Sequence, residues 1–375
     1  MGLSLTKLNI MKKSGNESIA EAVGKEIKSK FDLNKFKEKK LLGGNVKFKE
    51  QKWIPFSEAL QEALSIPGIG MGHINIVRGG SNTGKTTTAI ETVVAAQKAG
   101  ILPILIITEM KHSWEHWKTM GFEMNEIKDK KGNVVDYDGF FIYKDRGKLS
   151  SIEDVADFMI DILDEQAKGN LPYDLLFMWD SVGSIACRMS IEQGKNNPMW
   201  NAGAIATQFG NFINQRIVLS RKEESKYTNT FLIINKTGVS PAEGPMARPR
   251  MTNKGGNTFY YDASLCITFG NITNSGTSKI KATKDKKDVE FALRTKVACD
   301  KNHINGITTK NTVISTVHGF IDDSPNAINK YKKAHSEEWS EILGKGEYKT
   351  IEDNSEWEEK TNIEDIFEAE EENGQ

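Results

Sequence analysis

Residues 79–86, Gly79-Gly80-Ser81-Asn82-Thr83-Gly84-Lys85-Thr86, have the spacing G-x-x-x-x-G-K-[ST]. They follow an apolar run, INIV at 74–77, and precede the helix-forming stretch TTTAIETVVAAQ. Glycines at such a turn let successive backbone amides close around an anion, and the helix start adds partial positive charge. Lys85 is placed to reach the β and γ phosphates of ATP, the Thr86 hydroxyl to help hold Mg²⁺, and Thr87 completes the predicted phosphate-binding set. A site of this kind also needs carboxylates from neighbouring strands. LLFMW at 175–179 runs into Asp180, a candidate metal ligand, and ILPILIIT at 101–108 runs into Glu109, a candidate base for the attacking water. Asp180 could instead cap the next helix, and Glu109 could pair with Lys111 on the surface. Placement at strand ends favours chemistry, because parallel strands bring their carboxyl ends to one edge.

The elements that must hold these residues are short apolar runs separated by amphipathic stretches. INIV, ILPILIIT, LLFMW and TFLII (230–234) read as buried strands, with helices over 152–166 and 202–221 preceding the last two. This alternation predicts an α/β fold with a mostly parallel sheet covered on both faces. Beyond residue 256 the pattern changes to ASLCITF, SKIKAT, EFALRTKVACD and TVISTVHGF, which predict antiparallel strands extending one edge. IKDKKGNVVDYD at 127–138 reads as an inserted hairpin, and residues 57–64 as a helix ahead of the glycine-rich PGIGMGH.

The charge is unevenly distributed. The formal net charge is −1, yet residues 346–375 carry twelve acids against Lys349 and Lys360, which leaves the preceding body basic. A basic body with an acidic tail suits a protein that meets a polyanion; a solubilising disordered tail accounts for the same charges. Residues 1–50 hold twelve lysines against six acids and read as a basic arm. The resulting division is an arm and oligomerisation region at 1–55, a core at 56–322, a helical segment at 323–345 and the acidic tail at 346–375. Cys187, Cys266 and Cys299 are too scattered for a zinc or disulfide framework. No apolar run of about twenty residues suggests a membrane span, and the start lacks a secretory pattern, so a cytoplasmic location is expected, the host cytoplasm if the source is viral.

With these motifs in order, the chain resembles the RecA family of recombinases, most closely its phage UvsX-type branch. The likeness runs over about 56–320 and rests on SEALQEAL, PGIGMGHINIVRGGSNTGKTT, ILIITEM, LLFMWDSVGSI, TFLIINKT and KGGNTFYYDASLCITF. It implies a RecA-like P-loop NTPase core with a mostly parallel sheet extended by antiparallel edge strands. Lys85, Thr86, Glu109 and Asp180 fall on the family's phosphate, magnesium, base and metal positions. Asn235 and Lys236 fall where the family has a polar sensor of the γ-phosphate, usually Gln or His, so Lys236 departs from the pattern. Lys296 and Lys301 lie near basic residues that reach the ATP of the neighbouring subunit, Lys301 being the better match. Trp114, His116 and Trp117 are all open as adenine contacts.

Two segments would then face DNA. The first, 191–203, ends in Met199 and Trp200; the second, 237–256, contains Arg248, Arg250, Lys254, Gly255 and Gly256. Basic groups on flexible backbone suit phosphates, and an apolar or aromatic side chain can stack on a base. The function implied is an ATP-dependent recombinase, a DNA-dependent ATPase that forms helical filaments on single-stranded DNA with ATP between subunits and pairs it with duplex DNA. Single-strand-binding and mediator proteins are further partners of that reading. The alternatives are a RecA-fold hexameric replicative helicase, with Arg294 as a finger, and a non-catalytic recombination mediator.

Overall fold

The computed structural model describes residues 32, 35, 46–240, 250–270, 272, 278–284 and 287–338. The chain divides into two units, 1–48 and 49–375, and all that follows concerns the second. Most of the basic arm, all but residues 32, 35 and 46–55, and all of the acidic tail lie outside the described residues.

Strand β1 (Trp53–Pro55), helix α1 (Glu58–Leu64) and strand β2 (Gly68–Gly70) open the unit, β1 and β2 pairing as a small antiparallel sheet. The pairing brings Gly68 against Ile54, where a β-carbon would stand 1.9 Å from the Ile54 carbonyl oxygen. Strand β3 (Ile74–Gly79) then leads through the glycine-rich turn into α2 (Lys85–Lys98), and β4 (Leu102–Ile107) into α3 (Trp114–Thr119). Next come the hairpin β5 (Asn125–Lys128) and β6 (Val134–Asp138), the strand β7 (Ile142–Asp145), helix α4 (Ile152–Lys168) and β8 (Leu175–Asp180). Helix α4 is delimited by its own residues. Ser151 and Asp154 form a reciprocal capping box at its start, and Gly169, at φ 90°, ends it in the left-handed conformation.

The region expected to be one helix over 202–221 is three joined pieces: α5 (Arg188–Glu192) stands apart, followed by α6 (Pro198–Ile205), a π-helical stretch Ala206–Ile213 and α7 (Asn214–Leu219). Strand β9 (Asn229–Ser240) and β10 (Arg250–Asn253) form a hairpin, then α8 (Thr258–Asp262) precedes β11 (Leu265–Gly270). Strands β12 (Lys279–Lys284), β13 (Lys287–Asn302), β14 (Lys310–Thr316) and β15 (Gly319–Ile321) and helix α9 (Pro325–Ala334) complete the described chain.

Among the described residues, eleven strands form one mixed sheet in the order β15-β14-β13-β11-β3-β9-β8-β4-β7, with β10 on β9 and β12 on β13. The run from β11 to β7 is parallel throughout; β13, β14 and β15 add antiparallel strands at one edge. This is the α/β arrangement of the sequence pattern, with β7 as an additional edge strand. Side chains alternate across the parallel strands as the pleat requires. Leu176, Met178, Leu232 and Ile234 pack with α1 and α2 on one face, while Leu175, Phe177, Trp179, Phe231 and Ile233 pack with α4 and residues 205–217 on the other. Burying each of these side chains contributes about 2–3 kcal/mol against chain entropy, so the parallel strands are the rigid part on which a site can be built. No helix among the described residues is long and apolar enough to cross a membrane.

Candidate active site

The register of the parallel strands decides which residues meet at their carboxyl edge. Gly79 on β3 lies opposite Lys236 on β9, Arg78 opposite Asn235, and Asp180 on β8 opposite both Ile234 and Ile107. The glycine turn, Asp180 and Glu109 therefore share one edge, with Lys236 and Asn235 between them. Backbone bonds fix the two acids side by side: the amides of Thr108 and Glu109 donate to the Asp180 carbonyl oxygen at 2.8 and 3.1 Å. The Thr108 hydroxyl, fully buried, donates to the Ser181 carbonyl and accepts from the Trp179 indole, each at 3.0 Å.

The turn itself is shaped by glycine where no side chain fits. At Gly79 a β-carbon would come within 2.2 Å of the Phe269 carbonyl oxygen, and at Gly84, φ 101°, one would stand 3.0 Å from the Phe320 ring. Asn82 adopts a positive φ of 58°, a conformation that Asn tolerates better than most residues. Thr83 donates from its hydroxyl to the Gly80 carbonyl at 3.0 Å, and the Lys85 ammonium donates to the same carbonyl. Ser81 and Asn82 are exposed at the tip, while Thr87 is buried and bonded to Ser315.

Thr86 donates from Oγ1 to Asp180 Oδ2 at 3.3 Å, whereas Asp180 Oδ1 is buried with no hydrogen-bond partner among the described residues. Burial, and after it the nearby Glu109, push the Asp180 carboxyl up to about 6. Burial likewise pushes the Lys85 ammonium down, and Asp180 partly offsets this. A buried carboxylate oxygen without a donor, beside a hydroxyl oxygen, is a donor set that suits a hard, oxygen-loving cation such as Mg²⁺. Lys236 forms an ion pair with Glu109, Nζ to Oε1 at 2.6 Å, both side chains about a quarter exposed. Asn235 is buried and its Oδ1 has no hydrogen-bond partner among the described residues.

Other expected residues stand elsewhere or differently. Met199 and Trp200 were expected in a loop, but Asn197 caps through its side chain and Pro198 starts α6, so both sit on a helix. Met199 is 82% exposed, while Trp200 packs partly against the core. The segment 237–256, expected as a long loop, is a hairpin at its base: β9 continues to Ser240 and β10 returns, Arg250 opposite Ser240. Arg248 lies outside the described residues. Lys254 is exposed and sits over Gly183, where an added β-carbon would come within 2.6 Å of the lysine's own. Gly255 and Gly256 follow at φ 82° and 86°, close against Ile205, Val182 and Ala202. The hairpin base, α6 and the residues after Asp180 thus pack together.

Lys301 donates to the carbonyls of Tyr260 and Tyr261 at 2.8 and 2.9 Å, so contact with a phosphate requires giving up both bonds. Lys296 is buried. Arg294 is also buried and donates from Nε to both carboxylate oxygens of Asp323 at 2.8 Å; it is a structural residue of the edge strands and not an exposed finger. Trp117 is buried and meets Phe122 edge-on at 5.0 Å, and Trp114 lies among Tyr137, Phe141 and Tyr143. These two indoles build a local core. His116 is half-buried, and burial holds it below its ordinary value.

Sequence reasoning missed Thr108 as the hub joining β4 to the segment after β8, and the pairing of Lys236 with Glu109. The available signal was a polar residue closing an apolar strand and a lysine on the neighbouring strand end. No protein-family model matches the chain, and no curated protein matches it.

Proposed function

We propose that the chain is an ATPase with a RecA-like P-loop core that acts on single-stranded DNA as a strand-exchange recombinase. The observation that carries this reading is the meeting of the glycine turn with Lys85, Thr86, Asp180 and Glu109 at one sheet edge, with Thr86 Oγ1 3.3 Å from Asp180.

In this reading the turn amides and Lys85 hold the triphosphate, and Thr86 and Asp180 hold Mg²⁺. When bound, the ion supplies charge neutralisation at the β and γ oxygens. Glu109, kept beside Asp180 by its own backbone amide, takes the proton of the attacking water. To do so its carboxylate must leave Lys236, and Lys236, one residue from buried Asn235, is then positioned toward the γ-phosphate. The Lys236 carbonyl accepts from the Lys254 amide at 3.1 Å. This gives a continuous path from the site to the β9–β10 hairpin, whose Arg250 and Lys254, with Arg248, supply the basic groups for DNA. Met199 is an exposed apolar group on α6, the helix whose Ala202 and Ile205 face Gly256 and Gly255 at the hairpin base.

The helicase reading draws no support from Arg294, which is consumed by Asp323. A mediator without turnover leaves the Glu109 arrangement unused. Imaging the protein with single-stranded DNA and a slowly hydrolysed ATP analogue tests the proposal: helical filaments are expected. Closed rings, or no DNA-dependent assembly, would overturn it.

A further inference from the structure

Three ligand-capable side chains outside the proposed nucleotide set converge where α9 ends against the β14–β15 turn. His318 lies in that turn, His335 caps the end of α9, and Glu338 follows. Their candidate ligand atoms all lie within 4.8 Å of one another. Glu338 Oε1 is 3.3 Å from His318 Nε2 and 2.8 Å from His335 Nδ1. A tetrahedral zinc ion with bonds of roughly 2.0–2.1 Å needs neighbouring ligand atoms about 3.3 Å apart. Glu338 Oε1, common to both contacts, already has that spacing from His318 and is about 0.5 Å short of it from His335, so side-chain rotation would admit the ion.

The outer contacts are also those a metal site uses. His318 Nδ1 hydrogen-bonds the Tyr331 hydroxyl at 2.7 Å. With the proton on Nδ1, that bond leaves the Nε2 lone pair facing Glu338, which is how a partner on the second ring nitrogen orients a ligating histidine. Tyr331 is itself buried and stacks on Phe291, so the orienting hydroxyl stands on a packed element. The His318 and His335 rings stack at 3.9 Å between centroids with 21° between their planes, so one ring has to rotate for both in-plane lone pairs to reach a single ion. Both histidines are about a quarter exposed and Glu338 about half, which leaves a path for the ion and a fourth position for water.

We propose that His318, His335 and Glu338 form a binding site for a divalent transition metal, best suited to Zn²⁺, that fastens the end of α9 to the β14–β15 turn. Two imidazoles and one carboxylate suit zinc better than Mg²⁺ or Ca²⁺, which prefer all-oxygen shells. The site shares no residue with the Thr86–Asp180 pair and does not depend on the nucleotide reading.

The test is titration of the untagged full chain with ZnCl₂ by calorimetry, alongside thermal melting with and without zinc. One equivalent is expected to bind, with a rise in melting temperature. His318→Ala with Glu338→Gln should abolish this binding. Tyr331→Phe, which keeps the ring stack, should weaken it by about tenfold. Asp180→Asn should leave it intact. Because Glu338 is half exposed, Glu338→Gln alone supplies a folded variant in which affinity must also fall. No saturable zinc binding, binding retained in the double variant, or binding lost with Asp180→Asn overturns the proposal.

Discussion

Replacing Arg294 by methionine removes one half of a buried ion pair and leaves the other half in place. The guanidinium holds both oxygens of Asp323 through Nε at 2.8 Å, and the two side chains are 4% and 7% exposed. An uncompensated buried carboxylate costs about 3–5 kcal/mol. At about 2 °C per kcal/mol for a domain of this size, Arg294→Met should lower the melting temperature by roughly 6–10 °C. Replacing both partners with apolar residues, Arg294→Met with Asp323→Leu, should recover most of the loss, because the desolvation penalty disappears with the charges. Thermal melting followed by circular dichroism gives the stability, and ATP turnover below the transition gives the function. An arginine acting on a neighbour's nucleotide predicts the opposite pair of results, an unchanged melting temperature and lost turnover. That outcome would refute the structural assignment and revive the ring-helicase reading.

Three further outcomes are expected. Lys236→Gln should raise DNA-free ATP turnover about fivefold, since releasing Glu109 from a partly exposed pair is worth about 1 kcal/mol; unchanged or slower DNA-free turnover would remove Lys236 as a restraint on the base. His73 is buried between Ser264 and Gln51 with Arg221 nearby, and burial followed by Arg221 holds it down to about 4. The unfolded chain therefore binds the extra proton, so this contribution to stability is complete above about 6.5 and is lost as the pH falls toward 4. His73→Gln should flatten the drop in melting temperature over that window, and an equal drop in both proteins would contradict it. Joint replacement of Arg248, Arg250 and Lys254 by alanine should weaken single-stranded DNA binding and reduce its salt slope by up to about 2, at roughly 0.7 per phosphate contact; unaltered affinity would place the DNA site elsewhere.

Much of the site was legible because strongly buried strands announce themselves. LLFMW is apolar at every position, since β8 is covered on both faces, and the acid that ends it has to emerge at the sheet edge. The same logic located Glu109. What composition hid was structure made from few or atypical residues. Pro198 and the glycines around it read as a loop, although Asn197 and Pro198 are a helix start. Strand β7, IYKD, is a partly exposed edge with no apolar run to mark it. Gly238 looked like the beginning of a loop but lies inside β9, paired with Thr252. Pairings across the fold were beyond reach for a different reason. Lys301 meets Tyr260 and Tyr261 because β13 lies beside β11, and Arg294 meets Asp323 because the chain turns back after β15. Such contacts join residues whose proximity depends on the order of strands and not on local spacing. The indoles of Trp114 and Trp117 belong to the same class, their surroundings being supplied by the hairpin and β7.

The central claim is that the 79–86 turn and its lysine hold a magnesium-bound triphosphate. Binding of a fluorescent ATP analogue with Mg²⁺, measured in parallel on the unaltered protein and Lys85→Ala and followed by phosphate release, addresses it directly. Saturable binding with hydrolysis that Lys85→Ala abolishes is the expected result. Absence of binding to the unaltered chain, or turnover equal in the two proteins, would contradict the account.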